Sequence, residues 1–201
     1  MSEILIENDQ LPQDQRAHFS RIIYSESIRL TRLLDEILEI SRLEHGEMEI
    51  KKTPFNPEES IDRAMETCLG VAHQQGVKLK SAKRVSSVEI IGDPNRFHQV
   101  LINLLTNAID YNSSPTPWVK ITSRIFQGHY EIDIQDNGPG IQDPKTVFEK
   151  FSRGKNESSS KRGTGLGLTI SRQLVEKMGG TVELVNNEQS GACFRIKIPR
   201  S

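Results

Sequence analysis

The chain has only two cysteines, Cys68 and Cys193, set far apart and without metal-ligand spacing. Neither builds a metal site, and both read as buried structural thiols. There is no secretory leader and no apolar run long enough to span a bilayer. Charge of one sign is lacking as well. With 26 Lys and Arg against 27 Asp and Glu, the formal net charge is -1, so nothing global points to nucleic acid or an anionic membrane. These absences lead us to expect a soluble cytoplasmic chain with no membrane contact of its own, possessing one ordinary domain and an extension within 201 residues.

A second absence organises the first part of the chain. From about Arg16 to His45 there is neither Pro nor Gly. Phe19, Ile23, Leu30, Leu33, Ile37 and Ile40 recur at three- and four-residue steps, with Ile22, Leu34, Leu38 and Leu43 widening the stripe. Thirty helical residues reach ~45 Å, too long for the core of a small domain, so a helical hairpin or coiled-coil dimer is expected. Ser2 to Asn8 reads as a short helical end, Leu11 to Asp14 as a turn and Gly46 as the stop. The spacing therefore divides the chain into residues 1–46, a partial hairpin, and 47–201, a globular domain.

In the second part Met48 to Lys52 alternates like a strand. Asn56-Pro57-Glu58-Glu59 opens a helix with its cap, proline and acidic first turn in place. Strands are expected at Val77–Lys80 and Val88–Ile91, and a helix from Asp93-Pro94 to about Asn112. Trp118–Phe126 and His129–Gln135 form a hairpin about Gln127-Gly128. A short helix over Lys145 to Phe151, a longer one from Leu168 to Met178 and a last hairpin of Thr181–Val185 with Ala192–Ile198 complete the reading. Helices and strands intermingle without regular βαβ alternation. The fold class is α+β: a two-layer sandwich with a mostly antiparallel mixed sheet under three helices, preceded by the long helix.

Chemistry concentrates between Asp136 and Leu168. Asp136-Asn137-Gly138-Pro139-Gly140-Ile141 opens this stretch and Gly163-Thr164-Gly165-Leu166-Gly167-Leu168 closes it, around a polar, basic, Ser-rich run. Glycine lets backbone approach a ligand closely, and the second cluster runs directly into a helix whose first amides favour phosphate. A phosphate-loop lysine is lacking, since Leu168 follows Gly167. The dinucleotide fingerprint also lacks its preceding strand. Upstream, Asn103, Asn107 and Asp110 share one face of the Asp93–Asn112 helix. A carboxamide offers oxygen to a hard cation and N–H to phosphate, which suits magnesium and a nucleotide.

The order Asn103…Asn107, Asp136-x-Gly-x-Gly, Phe148…Phe151, Gly163-x-Gly-x-Gly resembles the ATP-binding domain of sensor histidine kinases, in the superfamily shared with gyrase, heat-shock chaperone and mismatch-repair ATPases. The resemblance covers about Glu47 to Pro199. It extends into Arg32–Leu38 and Ser41–Glu44, which look like the second helix of a dimerisation hairpin.

It implies that Asn107, with Asn103, holds Mg2+ and the ATP phosphates, and that Tyr111 lies against adenine. Asp136 accepts from the adenine amino group, while Gly138 and Gly140, followed by Ile141, keep that wall open. Phe148 and Phe151 anchor a lid whose Arg153, Lys161 and Arg162 supply cations. Gly163, Thr164, Gly165, Leu166, Gly167 and Leu168 form its closing end. Asp110 departs from the family, which often has a basic residue there; a carboxylate repels triphosphate unless it points away or shares the metal.

No accepting histidine with its following acidic residue is found. His18, His45, His73, His98 and His129 read as surface or structural, so the acceptor is expected upstream. The implied function is transfer of the ATP γ-phosphoryl group to that histidine, in a homodimer of the full-length protein, for relay to a response regulator receiver domain. Two alternatives stay open: a degenerate ATP-binding interaction module, and an ATPase switch. The latter needs a general base, and Asn103 stands where a glutamate is expected.

Overall fold

The computed structural model describes residues 12–85, 88–141, 143–152, 163–185 and 191–200. The chain divides into two compact units, Met1–Ser41 and Arg42–Ser201. Among the described residues the first consists of one long helix, α1 (Gln13–Glu44), whose last turn belongs to the second unit. It begins at Gln13, so the second half of the turn expected at Leu11–Asp14 is helical, Leu11 lying outside the described residues: Asp14 sits in the first turn of the helix, where acidic side chains are favoured. The short helical end expected at Ser2–Asn8 lies outside the described residues. Tyr24, Ile28, Leu30, Leu34, Ile37 and Leu38 are exposed on α1. Gly46 follows the helix at φ 70°, a left-handed turn after the last carbonyls.

The second unit contains β1 (Thr53–Phe55), α2 (Pro57–Gln74), β2 (Lys78–Ser81), β3 (Ile90–Gly92), α3 (Pro94–Asp110), β4 (Trp118–Phe126), β5 (His129–Asp136), α4 (Gly167–Lys177), β6 (Thr181–Leu184) and β7 (Cys193–Pro199). Five strands form one sheet in the order β2-β4-β5-β7-β6, antiparallel except for the parallel pair β2 and β4. β1 and β3 pair separately as an antiparallel ribbon. The strand expected at Met48–Lys52 thus begins only at Thr53, because pairing with β3 starts at Thr53↔Gly92. Expected helix over Lys145 to Phe151 is replaced by successive turns. The hairpin at Gln127-Gly128 has positive φ at both residues, 48° and 77°, matching the twist of its strands.

Helix α3 is the centre of the helical layer. It packs against α2, α4 and the sheet, and Phe97, Leu101, Leu104, Leu105 and Ile109 are fully buried. Opposite them Ile121, Ile132, Ile134 and Ile196 fill the inner face of the sheet, each about 1% exposed or less. Helices α2 and α3 are both capped as their sequences require: Asn56 accepts from the Glu58 amide, and Asp93 from those of Asn95 and Arg96. Cys68 and Cys193 are free and buried, with burial pushing each thiol up to about 11. Among the described residues no helix is long and apolar enough to cross a membrane.

Candidate nucleotide site

Three segments meet at the end of α3. Tyr111 caps that helix. Its carbonyl oxygen stands 3.4 Å from where a Cβ on Gly138 would lie, and its hydroxyl 2.6 Å from a Cβ on Gly163. The two glycine clusters, 25 residues apart in sequence, therefore flank one tyrosine. One turn and two turns earlier, Asn107 and Asn103 continue the same side of the helix. A side chain on Gly167 would collide with the Asn103 carboxamide, so α3 and the start of α4 approach at the glycine. Asn103 donates through Nδ2 to Ser171 Oγ at 2.7 Å, which leaves its carbonyl oxygen beside Gly167. The half-buried Asn107 carboxamide makes no hydrogen bond among the described residues.

Asp136 ends β5 and is 8% exposed. Its Oδ1 accepts from the amides of Gly138 (2.8 Å) and Ala192 (3.3 Å), while Oδ2 takes no hydrogen bond among the described residues. Burial pushes this carboxyl above its ordinary range, and the two amides pull it partly back. Gly140, at φ 76°, lies against the Gly191 carbonyl, 3.2 Å from where its Cβ would be. Gly191 in turn sits against the Asp136 backbone, and no side chain fits there. Ile141 is half-buried beside this wall. Asn137 holds the loop to its neighbours: its Oδ1 accepts from the Trp118 amide (2.8 Å) and from Asn112 Nδ2 (3.1 Å).

On the other side, Phe148 packs edge-on against Phe194, ring centroids 6.0 Å apart, with the Arg172 guanidinium over its ring. Thr169 donates to the Phe148 carbonyl at 2.9 Å. Phe151 contributes through its backbone, donating to the Gly165 carbonyl at 2.9 Å from a left-handed φ of 61°, while its ring is exposed. This bond joins the two ends of the run that contains Arg153, Lys161 and Arg162, which lie outside the described residues. Thr164 Oγ1 accepts from the Leu166 amide, and Leu166 is buried. Leu168, half-buried, stands in the first turn of α4. Unlike α2 and α3, α4 starts without any side-chain cap, so its first amides face outward beside Asn103 and add positive character.

Asp110 is not brought to this cluster. Its Oδ1 accepts from Gln75 Nε2 at 2.6 Å, so the carboxylate is turned to the end of α2. Sequence reasoning missed Asn112, Asn137, Ser171 and Gly191. Only the Asn-Gly pair at 137–138 carried a visible signal, as a turn; Asn112 joins Asn137 25 residues on and Ser171 joins Asn103 68 residues back, pairings that no local pattern encodes.

No group of three or more His, Cys, Asp or Glu among the described residues could hold a metal ion by itself. The oxygen donors on α3 are carboxamides, a set that suits magnesium arriving on phosphate oxygens rather than a protein-built metal cage.

A family model described as histidine kinase-, DNA gyrase B-, and HSP90-like ATPase matches residues 92–201. Sensor protein KdpD of Escherichia coli (strain K12) is 33% identical over 175 residues, 86% of this chain and 19% of that protein. The first several curated relatives are all much longer, the chain spanning 8% to 21% of their length. The crystal structure of full-length ShkA in complex with AMPPNP superposes with a TM-score of 0.78 at 27% identity, covering 98% of this chain and 41% of that one. Histidine kinase ThkA in complex with response regulator protein TrrA gives 0.78 at 25% identity, covering 100% and 56%. With carboxamides, buried acid and paired glycines gathered around Tyr111, and with these likenesses, the chain belongs to the histidine kinase-, DNA gyrase B- and HSP90-like ATPases, as an ATP-binding catalytic domain of the sensor histidine kinase kind.

Proposed function

We propose that the chain transfers the ATP γ-phosphoryl group to a histidine on a dimerisation hairpin, for relay to a response regulator receiver domain. The supporting observation is the free Oδ2 of Asp136 across from Tyr111 and the two α3 carboxamides. An acceptor with no bond of its own selects adenine, whose amino group donates where guanine presents a carbonyl. Asn107 and Asn103 would hold Mg2+ and the phosphates, with the uncapped α4 amides beside them. Exclusion of water from the bound triphosphate favours transfer over hydrolysis. Positioning and electrostatics carry such a step.

Residues 1–46 would be half of the hairpin and 47–201 the catalytic domain, the acceptor histidine lying on the hairpin's other helix. The exposed stripe of α1 favours pairing with a second copy in the full-length protein. The compartment that fits is the cytoplasm. Two features weigh against the alternatives. Asp110 faces Gln75, which removes the main argument for a degenerate site, and Asn103 is a carboxamide, which cannot take a proton from an attacking water.

The test mixes this chain, Mg2+-ATP labelled at the γ position, and a separate hairpin bearing the acceptor histidine. Acid-labile label on the hairpin, absent with Asn107→Ala, is expected. Calorimetry showing no magnesium-dependent ATP binding at millimolar concentration would refute the reading.

A further inference from the structure

The sheet face turned away from the helices holds an uneven distribution of charge. The strand register puts three carboxylates on it, Glu131, Asp133 and Glu183, and each is paired: Arg124 with Glu131 (2.6 Å), Arg195 with Asp133 (2.6 Å) and Lys197 with Glu183 (2.6 Å). Three further cations share the face, Lys78, Lys80 and Lys120, and none makes an ion pair among the described residues. All three stand at one corner, where Lys78 is the register partner of Trp118 and Lys80 of Lys120. The Lys80 and Lys120 ammonium groups lie 5.2 and 5.6 Å from the centroid of the same indole.

Like charges placed opposite each other on neighbouring strands repel, and one half-buried ring offsets this only in part. Lysines on an edge strand also guard it against unwanted pairing. That accounts for Lys78 and Lys80 on β2, but not for Lys120, which is on the interior strand β4, nor for the half-buried indole between them. The corner is also rigid. The Trp118 amide donates to Asn137 and its carbonyl accepts from Asn112, so little ordering is left for binding to oppose.

We propose that this corner docks an extended acidic segment of a partner protein. Lys78 and Lys80 are two residues apart on one strand, about 7 Å along it. Carboxylates at alternate positions of an extended peptide have the same repeat and all point to one face of it, the face turned to the lysines around Trp118. A nucleic acid fits poorly, because its phosphates would continue along the face onto Glu131 and Asp133.

Trp118 is the sole tryptophan in the chain, so its fluorescence reports on the corner directly. The intact chain is titrated with an eight-residue peptide alternating Glu and Thr, with a peptide of the same composition carrying its Glu residues in one block, and with a single-stranded oligonucleotide of equal charge. A saturable change with the alternating peptide is expected, with affinity about five-fold weaker for the block peptide and about ten-fold weaker for Lys80→Gln/Lys120→Gln. That variant should have a Tm at or above wild type, since a repelling pair is removed, and should retain Mg2+-ATP binding. Three results would each overturn the proposal: no saturable change up to millimolar peptide, equal affinity in the double variant, or an oligonucleotide affinity equal to or above that of the peptide.

Discussion

Asp136 combines two demands in one carboxylate. Oδ1 fastens the loop by accepting from Gly138 and Ala192, and Oδ2 is the atom that the proposed reading assigns to the adenine amino group. Burial raises its pKa above the ordinary 3.8, so the charged form is disfavoured in the fold. The sign follows: the stability this group contributes is complete below the ordinary value and is lost as pH rises through the higher folded value. Asp136→Asn keeps an acceptor for the loop and removes the buried charge. At pH 7 its stability should be equal to wild type or higher by up to about 1 kcal/mol, measured by urea denaturation. Its ATP affinity should fall by roughly ten-fold or more, measured by calorimetry. A variant that both unfolds and loses ATP would show that the carboxylate is structural. At the same scale Cys68 and Cys193, pushed up to about 11, should resist alkylation at pH 8 until the chain is unfolded. These residues were legible in sequence by type and spacing. Asp110 was not: its direction is set by Gln75, 35 residues away, and no helical wheel contains that partner.

Helix α2 is fastened to the sheet by its first turn. Glu58, 6% exposed, accepts from Ser123 Oγ (2.5 Å), Tyr130 Oη (2.7 Å) and Arg84 Nε (2.5 Å), and Arg84 also reaches the Glu58 carbonyl and Asp62. In sequence Glu58 reads only as part of a capped first turn, because its three donors come from β4, β5 and the segment after β2. Burial and the neighbouring carboxylate push the Tyr130 phenol far above its ordinary pKa. Truncation of Glu58 to Ala takes from the Ser123 and Tyr130 hydroxyls the carboxylate they donate to and strips Arg84 of its most buried partner. The expected loss is about 3–5 kcal/mol, against about 1 kcal/mol for Tyr130→Phe, where Ser123 and Arg84 still satisfy the carboxylate. Chemical denaturation of both variants decides the matter; equal losses would mean that the Glu58 carboxylate contributes no more than its single bond from Tyr130. Elements marked by caps and turn residues, such as α2 after Asn56 and the Gln127-Gly128 hairpin, were visible in sequence. β1 and the turns over Lys145–Phe151 were not. β1 is defined by pairing with β3, and the turns by Thr169 and Gly165 taking the backbone of Phe148 and Phe151, partners that local periodicity does not encode.

At the scale of the molecule, the apolar stripe of α1 and the nucleotide cluster lie in different compact units, Met1–Ser41 and Arg42–Ser201. No residue of the cluster comes from the first unit, and no exposed residue of the stripe comes from the second. Association and nucleotide binding should therefore be separable by mutation. Leu30 and Leu34 are 59% and 61% exposed, and a stripe of that kind self-associates unless it is covered. Leu30→Lys/Leu34→Lys should turn a concentration-dependent dimer into a monomer by analytical ultracentrifugation, with little loss of helix because lysine is a good helix former. The same variant should keep the whole stabilisation by Mg2+-ATP, about 2.7 kcal/mol when ATP exceeds Kd by 100-fold. Asn107→Ala should do the reverse, leaving self-association intact and removing the ATP-dependent rise in Tm. A double variant should show both losses and no more, since sites without shared partners add. If the lysine pair abolished ATP stabilisation as well, the two units would have to share the site, and the cluster around Tyr111 would be only part of it.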